Sequence, residues 1–386
     1  MNEAISRIVK GPFFTWLLIT TILVVVRGEE VGPLLAQRAN LTYEKVFPCM
    51  SFPNVWMMQG RNIREWSWPA DAEHHFEEIK NRTARFRTAP VHEYANYEGP
   101  WIENIWIRDF MDKPLLFFNG FIPLFVQWID TQILRRGHFD AIHNELNALL
   151  RPNVLYLAIS QGDVGLGKIG TAHPNILVLA AGGYGHVPIP LIRGEKGKPD
   201  LALSWEPPPA KYDQTIGFFG NQKQHGSTRP EMLSQINAAC IRRNVTLKVS
   251  QGPTWQKDML GTKFNLAPRG YGRSSFRYAE AIQMGRIPVF LWDDYPWIPY
   301  AGTNLSADRI GLSGGLRVEG HPLGDMVDAV ANMTVHDEQE KLERVKDARF
   351  HFTYAGLEQQ ISQFISDPFG PRGGNLRCTQ HPRTEK

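Results

Sequence analysis

Residues 264–300 read FNLAPRGYGRSSFRYAEAIQMGRIPVFLWDDYPWIPY and gather Arg269, Arg273, Arg277, two serines and a glutamate behind a proline-terminated apolar run. If the run is a strand and SSFRYAEAIQMG is the helix after it, the glycine-rich turn lies at the strand's carboxyl end and feeds a helix N-terminus. The unpaired N–H groups and positive dipole end there make an anion site. Arg269 and Arg273 flank the turn and Arg277 follows one turn into the helix, so a diphosphate could take charge-assisted bonds from them and from Ser274 and Ser275. Glu280, three residues beyond Arg277, shares its face and could accept the two hydroxyls of a ribose. The competing reading is a serine-capped helix with an ordinary Arg–Glu surface pair; neither GxxxxGK[ST] nor GxGxxG is present.

Strand and helix patterns alternate on both sides of a stiff polar linker, EPPPAKYDQ at 206–214. Before it, 154–159 and 175–181 read as buried parallel strands, each followed by a glycine-rich loop, SQGDVGLGKIG and GGYGHVPIP. After it, strands are expected at 215–220, 245–249, 263–267 and 287–292, with helices at 229–244, 255–261, 274–285, around 326–333 and over 337–365. A helix is expected over 138–150, preceded by a buried loop and a helix stopped by Gly137. Residues 47–113 show no trustworthy period. The pattern predicts an α/β chain of two Rossmann-like, doubly wound domains facing a cleft, with ligands at the carboxyl ends of the strands.

The bounds agree with a large core: 386 residues, 42% hydrophobic, 21% charged. A formal charge of +3, without basic runs, argues against nucleic acid. Cys49, Cys240 and Cys378 allow one disulfide and one odd thiol, and no cysteine–histidine cluster has zinc spacing. Residues 11–26 carry no charge and follow Arg7 and Lys10. As a helix of about 24 Å the segment suits a thin early-secretory membrane, with a cleaved signal or a buried helix as alternatives. Five N-x-S/T sequons, at Asn40, Asn81, Asn244, Asn304 and Asn332, favour a lumenal body. The expected order is a tail at 1–10, an anchor at 11–26, a stem at 27–46, an acceptor-side domain at 47–205, a nucleotide-sugar domain at 206–370 and a tail at 371–386.

The stretch from KFNLAPRGYG to DDYPWIPY resembles the exostosin-like glycosyltransferases (glycosyltransferase family 47), where PRG.G..S.R..EA...G.IPV and a D...P segment recur in this order. The likeness is dense over about 255–300 and fainter back to Asn119. It implies a GT-B fold, an inverting transfer from a nucleotide sugar, chiefly a uridine diphosphate sugar, to a glycan hydroxyl, and type II Golgi topology. It also implies a donor site of Arg269, Gly270, Ser274, Arg277 and Glu280, with Arg229 as a further diphosphate contact. Inversion needs a general base; the candidates are Asp163, His186 and, more remotely, Glu98. The family often has a histidine before that aspartate, where this chain has SQGD. No metal is expected to be obligatory: Asp293 and Asp294 read as turn formers, and arginines can replace a cation in such sites, although a divalent cation is not ruled against. Expected partners are the donor, a glycan acceptor, the membrane and another transferase subunit in a homo- or hetero-oligomer. A second reading is a catalytically silent subunit that binds or stabilises an active transferase; a third is a two-domain binding protein.

Overall fold

The computed structural model describes residues 42–43, 45–46, 48–50, 68–87, 93–94, 97–98, 100–131, 136–193, 203–223, 228–317 and 323–379. The apolar segment 11–26, the sequon at Asn40 and the side chain of Glu98 lie outside them. Among the described residues no helix is long and apolar enough to cross a membrane.

The protein is a mixed α/β chain with two parallel sheets. Helix α1 (Ala72–Arg82), a small antiparallel pair β1 (Glu93–Tyr94) and β2 (Tyr97–Glu98), and helix α2 (Ile102–Phe110) precede the first sheet. The sheet comprises β3 (Ile122–Leu124), β4 (Tyr156–Ser160), β5 (Ile176–Ala180) and β6 (Val187–Pro188), with helices α3 (Arg136–Leu149) and α4 (Lys168–Ala172) between its strands. Then follow β7 (Gln214–Phe219), α5 (Thr228–Arg243), β8 (Leu247–Ser250), α6 (Trp255–Leu260), β9 (Thr262–Pro268), α7 (Phe276–Gln283) and β10 (Ile287–Trp292). Helix α8 (Ala307–Ile310), β11 (Leu312–Gly315), α9 (Leu323–Ala331), α10 (Val335–Ala348) and α11 (Tyr354–Ser366) complete the chain.

The second sheet has the order β11-β10-β9-β7-β8, all parallel. The chain leaves β7 toward one edge and returns to the other side at β9, so the β7–β9 junction is the point at which successive connections reverse direction, where such sheets open a crevice. The first sheet runs β3-β4-β5-β6 in simple chain order. Of the two doubly wound sheets expected, the second reverses, and the first, among the described strands, runs in one direction. The strands β4, β5 and β10 are buried on both faces, as strands of parallel sheets covered by helices are.

Three further expectations change. Gly137 does not end a helix; it lies in the first turn of α3, where one glycine costs about 1 kcal/mol and the buried stripe of Ile142, Leu146 and Leu149 outweighs it. The reputedly patternless 47–113 holds α1 and α2, whose buried faces (Phe76 and Ile79; Ile105, Trp106 and Phe110) are too short for a clear period. The helix expected over 337–365 is broken at Arg349–Phe352 by a 3-10 turn, after which Thr353 Oγ1 accepts the Gly356 N–H at 3.1 Å and starts α11 in a new direction.

That break sends α11 back across the molecule. Its Tyr354 hydroxyl donates to the Pro100 and Ile192 carbonyls, and Phe364 lies against Phe121. Asp367 pairs with Lys45, Cys378 is disulfide-bonded to Cys49 with Cα atoms 5.5 Å apart, and the Thr379 N–H reaches the His186 carbonyl at 3.0 Å. One hydrophobic core runs without interruption from Phe76 and Trp106, under the first sheet, to Tyr278, Phe290 and Phe352 behind the second. A separate core of Ile216, Met232, Phe264, Val289 and Leu323 fills the other face of the second sheet. The linker is pinned from below: buried Arg286 donates to the Glu206, Pro207 and Leu260 carbonyls.

Candidate functional site

A cleft of about 450 Å³ opens between the carboxyl ends of the two sheets. The floor on the second-sheet side is the β7–β9 junction: Phe219 to Asn221 leave β7, and Gly270 to Arg277 lead from β9 into α7. Ser275 is the residue capping α7; its backbone is extended and its side chain makes no capping bond, so the helix presents its first N–H groups to the cleft without a side-chain acceptor.

Arg277 is held three ways. Its Nε donates to the Phe219 carbonyl, its Nη1 to Glu280 Oε2, and its guanidinium lies 4.2 Å from the centre of the Trp255 ring. Glu280 is nearly inaccessible, yet its Oε1 has no hydrogen-bond partner among the described residues; Arg193 Nη1, from the opposite wall, stands 3.9 Å away. A buried carboxylate oxygen without a donor costs roughly 1–3 kcal/mol or more, so this atom marks a place where a ligand hydroxyl would be favoured. Arg229 is buried at the head of α5, donating to the Asn221, Pro268 and Arg269 carbonyls. Burial, and next the charge of Arg277, push its pKa down to about 10, which still leaves it cationic near neutrality. The cleft therefore carries three guanidiniums, Arg193, Arg229 and Arg277, against the carboxylates of Asp163 and Glu280.

Arg269 and Gly270 diverge. Gly270 lines the cleft. Arg269 is turned away beneath the loop, where its donors reach the Gly272 and Tyr271 carbonyls, each at 3.0 Å, and the Asp293 and Asp294 carboxylates. Its work is to shape the PRGYG turn. Asp294 also takes Arg273, at 2.6 Å, so the adjacent aspartates serve this arginine pair. Among the described residues no three acidic, histidine or cysteine side chains converge as a metal site.

The two sheets meet at a glycine seam. The Gly272 N–H donates to Asp163 Oδ1 at 3.0 Å and the Arg273 N–H to the Gly182 carbonyl at 2.7 Å. A Cβ on Gly272 would press into the Gly182 carbonyl oxygen and stand 2.8 Å from Asp163 Oδ1, so only glycine permits the approach. Asp163 lines the cleft, its Oδ2 has no hydrogen-bond partner among the described residues, and burial raises its pKa above the ordinary value despite the Gly272 N–H and nearby Arg269. His186 is not brought to the cleft. It is buried, its Nδ1 accepts the Val178 N–H at 3.0 Å, and its own backbone bonds the Val178 carbonyl and the Thr379 N–H. A side chain spent this way supports β5 and β6 rather than a substrate.

Four wall residues went unnoticed in the sequence: Trp101, Gln161, Arg193 and Trp255. Behind the wall stands a fifth, Glu103, fully buried, its Oε1 accepting the Gln161 N–H at 2.9 Å. Burial pushes its pKa up to about 7, opposed by the Gln161 N–H. Its place in the first turn of α2 reads in sequence as an ordinary acid near a helix N-terminus; only Trp101 before it and Ile105 and Trp106 after it hint at depth.

No family model matches the chain, and no curated protein matches it. Among solved structures, the crystal structure of TarM is similar at 12% identity and a TM-score of 0.31. The match takes in 59% of this chain and 58% of that one, so it spans under two thirds of TarM, and it is too loose to bear on function.

Proposed function

We propose that the protein is a glycosyltransferase of the GT-B type, exostosin-like, that moves a sugar from a nucleoside diphosphate donor, chiefly a uridine diphosphate sugar, to a glycan hydroxyl. The observation that carries this reading is Glu280: a buried carboxylate with one oxygen on Arg277 and the other without a hydrogen-bond donor among the described residues, beside an uncapped helix N-terminus at the β7–β9 junction. Its Oε1 suits a ribose hydroxyl, with the diphosphate on the N–H groups of α7, Ser274 and Arg277. Arg229, whose donors are spent on carbonyls, contributes fixed positive charge to the leaving diphosphate rather than direct bonds. Gly270 lets the diphosphate approach the backbone.

Asp163 is the base of this reading. It faces the cleft from the first sheet, has an oxygen to spare, and its raised pKa moves it toward the operating pH of a proton acceptor. The first-sheet half takes the acceptor and the second-sheet half the donor. The setting is a type II Golgi membrane protein with a lumenal body. In favour stand the Cys49–Cys378 disulfide, a bond of oxidising compartments, and the exposure of Asn81, Asn244, Asn304 and Asn332.

One observation favours the silent-subunit alternative: Asp163 already accepts the Gly272 N–H and so has a purely structural task. Incubating the full chain with a panel of uridine diphosphate sugars and mixed glycan acceptors separates the two. Release of uridine diphosphate with a labelled glycan supports the transferase; binding without release in any combination supports the silent subunit; absence of binding sinks both.

A further inference from the structure

Beside Asp163 stand two residues that neither donor binding nor proton transfer employs, Gln161 and Glu103. Gln161 leaves β4, is buried and lines the cleft. Its backbone N–H donates to Glu103 Oε1 at 2.9 Å, and its side-chain Oε1 accepts the Ile102 N–H at 2.9 Å. Ile102 and Glu103 are consecutive at the start of α2, so the exit of β4 and the head of that helix exchange bonds in both directions.

This exchange settles the orientation of the amide. The Ile102 N–H is among the first N–H groups of a helix and has no acceptor in its own turn. Of the two ends of a glutamine side chain only the oxygen can accept. The oxygen therefore faces α2, and the amide NH2 is the polar group that Gln161 has left for the cleft; Nε2 has no hydrogen-bond partner among the described residues. Glu103, inaccessible and bonded to the same residue's backbone, keeps the joint from pivoting.

We propose that Gln161 is a specificity-determining residue that donates its amide N–H to a ring hydroxyl of the sugar being transferred, with Glu103 as the positioning residue behind it. The proposal rests on the nucleotide-sugar reading above. With the ribose on Glu280 and the diphosphate at the N-terminus of α7, the sugar on the outer phosphate extends toward the loop that Asp163 joins to Gly272, and Gln161 is two residues from Asp163 on that wall. A fixed neutral donor suits a neutral hydroxyl, and a wall that aims one at a single ring position discriminates between epimers by leaving the amide unpaired with the wrong one.

The test compares uridine diphosphate with its glucose, galactose, N-acetylglucosamine, glucuronic acid, xylose and arabinose conjugates, titrated calorimetrically into the full chain. Two variants of Gln161 are used, Gln161→Leu and Gln161→Glu. The second keeps an oxygen for the Ile102 N–H, so it folds if the joint is what matters; because its added charge acts differently on the conjugates and on the more highly charged free diphosphate, the neutral-sugar conjugates are also compared with one another. In the wild type one conjugate is expected to bind tighter than uridine diphosphate. Both variants should cut that ratio by about tenfold, the worth of one hydrogen bond with its desolvation, and flatten the preference among sugars. Glu103→Gln, which can still accept the Gln161 N–H, should keep the preference, and Glu103→Leu should lose it while uridine diphosphate still binds. An unchanged ratio in Gln161→Glu overturns the proposal alone, as does an equal loss for the conjugates and the free diphosphate. Failure of the wild type to bind any of them overturns the proposal together with the functional reading.

Discussion

The two walls of the cleft are made in opposite ways. The second-sheet wall is built around one contiguous strand–turn–helix, 268–280, with Phe219, Arg229 and Trp255 set beside it, and the arginines of that segment are anchored on backbone carbonyls and on the carboxylates of Asp293, Asp294 and Glu280. The first-sheet wall collects Trp101, Ile129, Gln161, Asp163 and Arg193 from separate segments and joins them by side-chain-to-backbone bonds across long stretches of chain. A contiguous wall can hold a constant ligand part, a diphosphate and ribose, with preorganised charge. A composite wall can vary residue by residue, as a sugar or acceptor pocket must.

The difference suggests where each wall breaks. Asp163→Asn on the composite wall keeps the Gly272 N–H contact, and is expected to lower transfer by about 10²–10⁴-fold with donor affinity nearly unchanged, as loss of a general base does. Steady-state rates beside donor titrations read the two effects separately, and an equal fall in both would move Asp163 to the binding side. On the contiguous wall, Arg277→Ala leaves the buried Glu280 only the more distant Arg193, which costs about 3–5 kcal/mol in chemical denaturation and removes uridine diphosphate binding. Arg269→Ala should cost similar stability, yet the fraction that folds should bind almost as before, because Arg269 shapes the loop from behind. Binding abolished in a folded Arg269→Ala protein would put that arginine back on the ligand.

Glu103 makes the composite wall sensitive to pH. Its folded pKa, about 7, lies above the 4.5 of an unburied glutamate, so the folded state holds the proton more tightly. The contribution is whole below about pH 4.5 and is lost as pH rises through 7; over that window it is on the order of 3 kcal/mol. Denaturant melts from pH 4.5 to 8 should show the decline in the wild type and a flatter profile in Glu103→Gln; parallel profiles would contradict a titrating Glu103. The smallest effect belongs to the strap that ties the tail across both walls. Tyr295→Phe removes the buried bond to Thr379 Oγ1 and should cost about 1 kcal/mol in the same melts.

The same contrast decided how much could be read in advance. A strand, a glycine turn and a serine-started helix are local events, so 263–292 was legible with its boundaries correct to a residue or two, and so was the nearness of Arg277 to Glu280. Arg269 sits in the right turn, but whether a guanidinium points to the cleft or to carbonyls behind it depends on Asp293, which packing alone brings there. His186 and Asp163 look alike as loop residues near strand ends; the Val178 N–H claims the first and the cleft receives the second. Glu103 could not be found because burial of α2 depends on the β4 exit and on α11, and α11 returns only because the chain turns at Thr353.

The central claim is that Glu280 takes a ribose hydroxyl beside a diphosphate on α7, and calorimetric titration of uridine diphosphate into the wild type and Glu280→Gln tests it most directly. The account predicts saturable binding to the wild type and an affinity at least about tenfold weaker in a Glu280→Gln protein that remains folded, because the amide forfeits the charge-assisted bonds. Equal affinity in the two proteins, or no binding to the wild type, would contradict it.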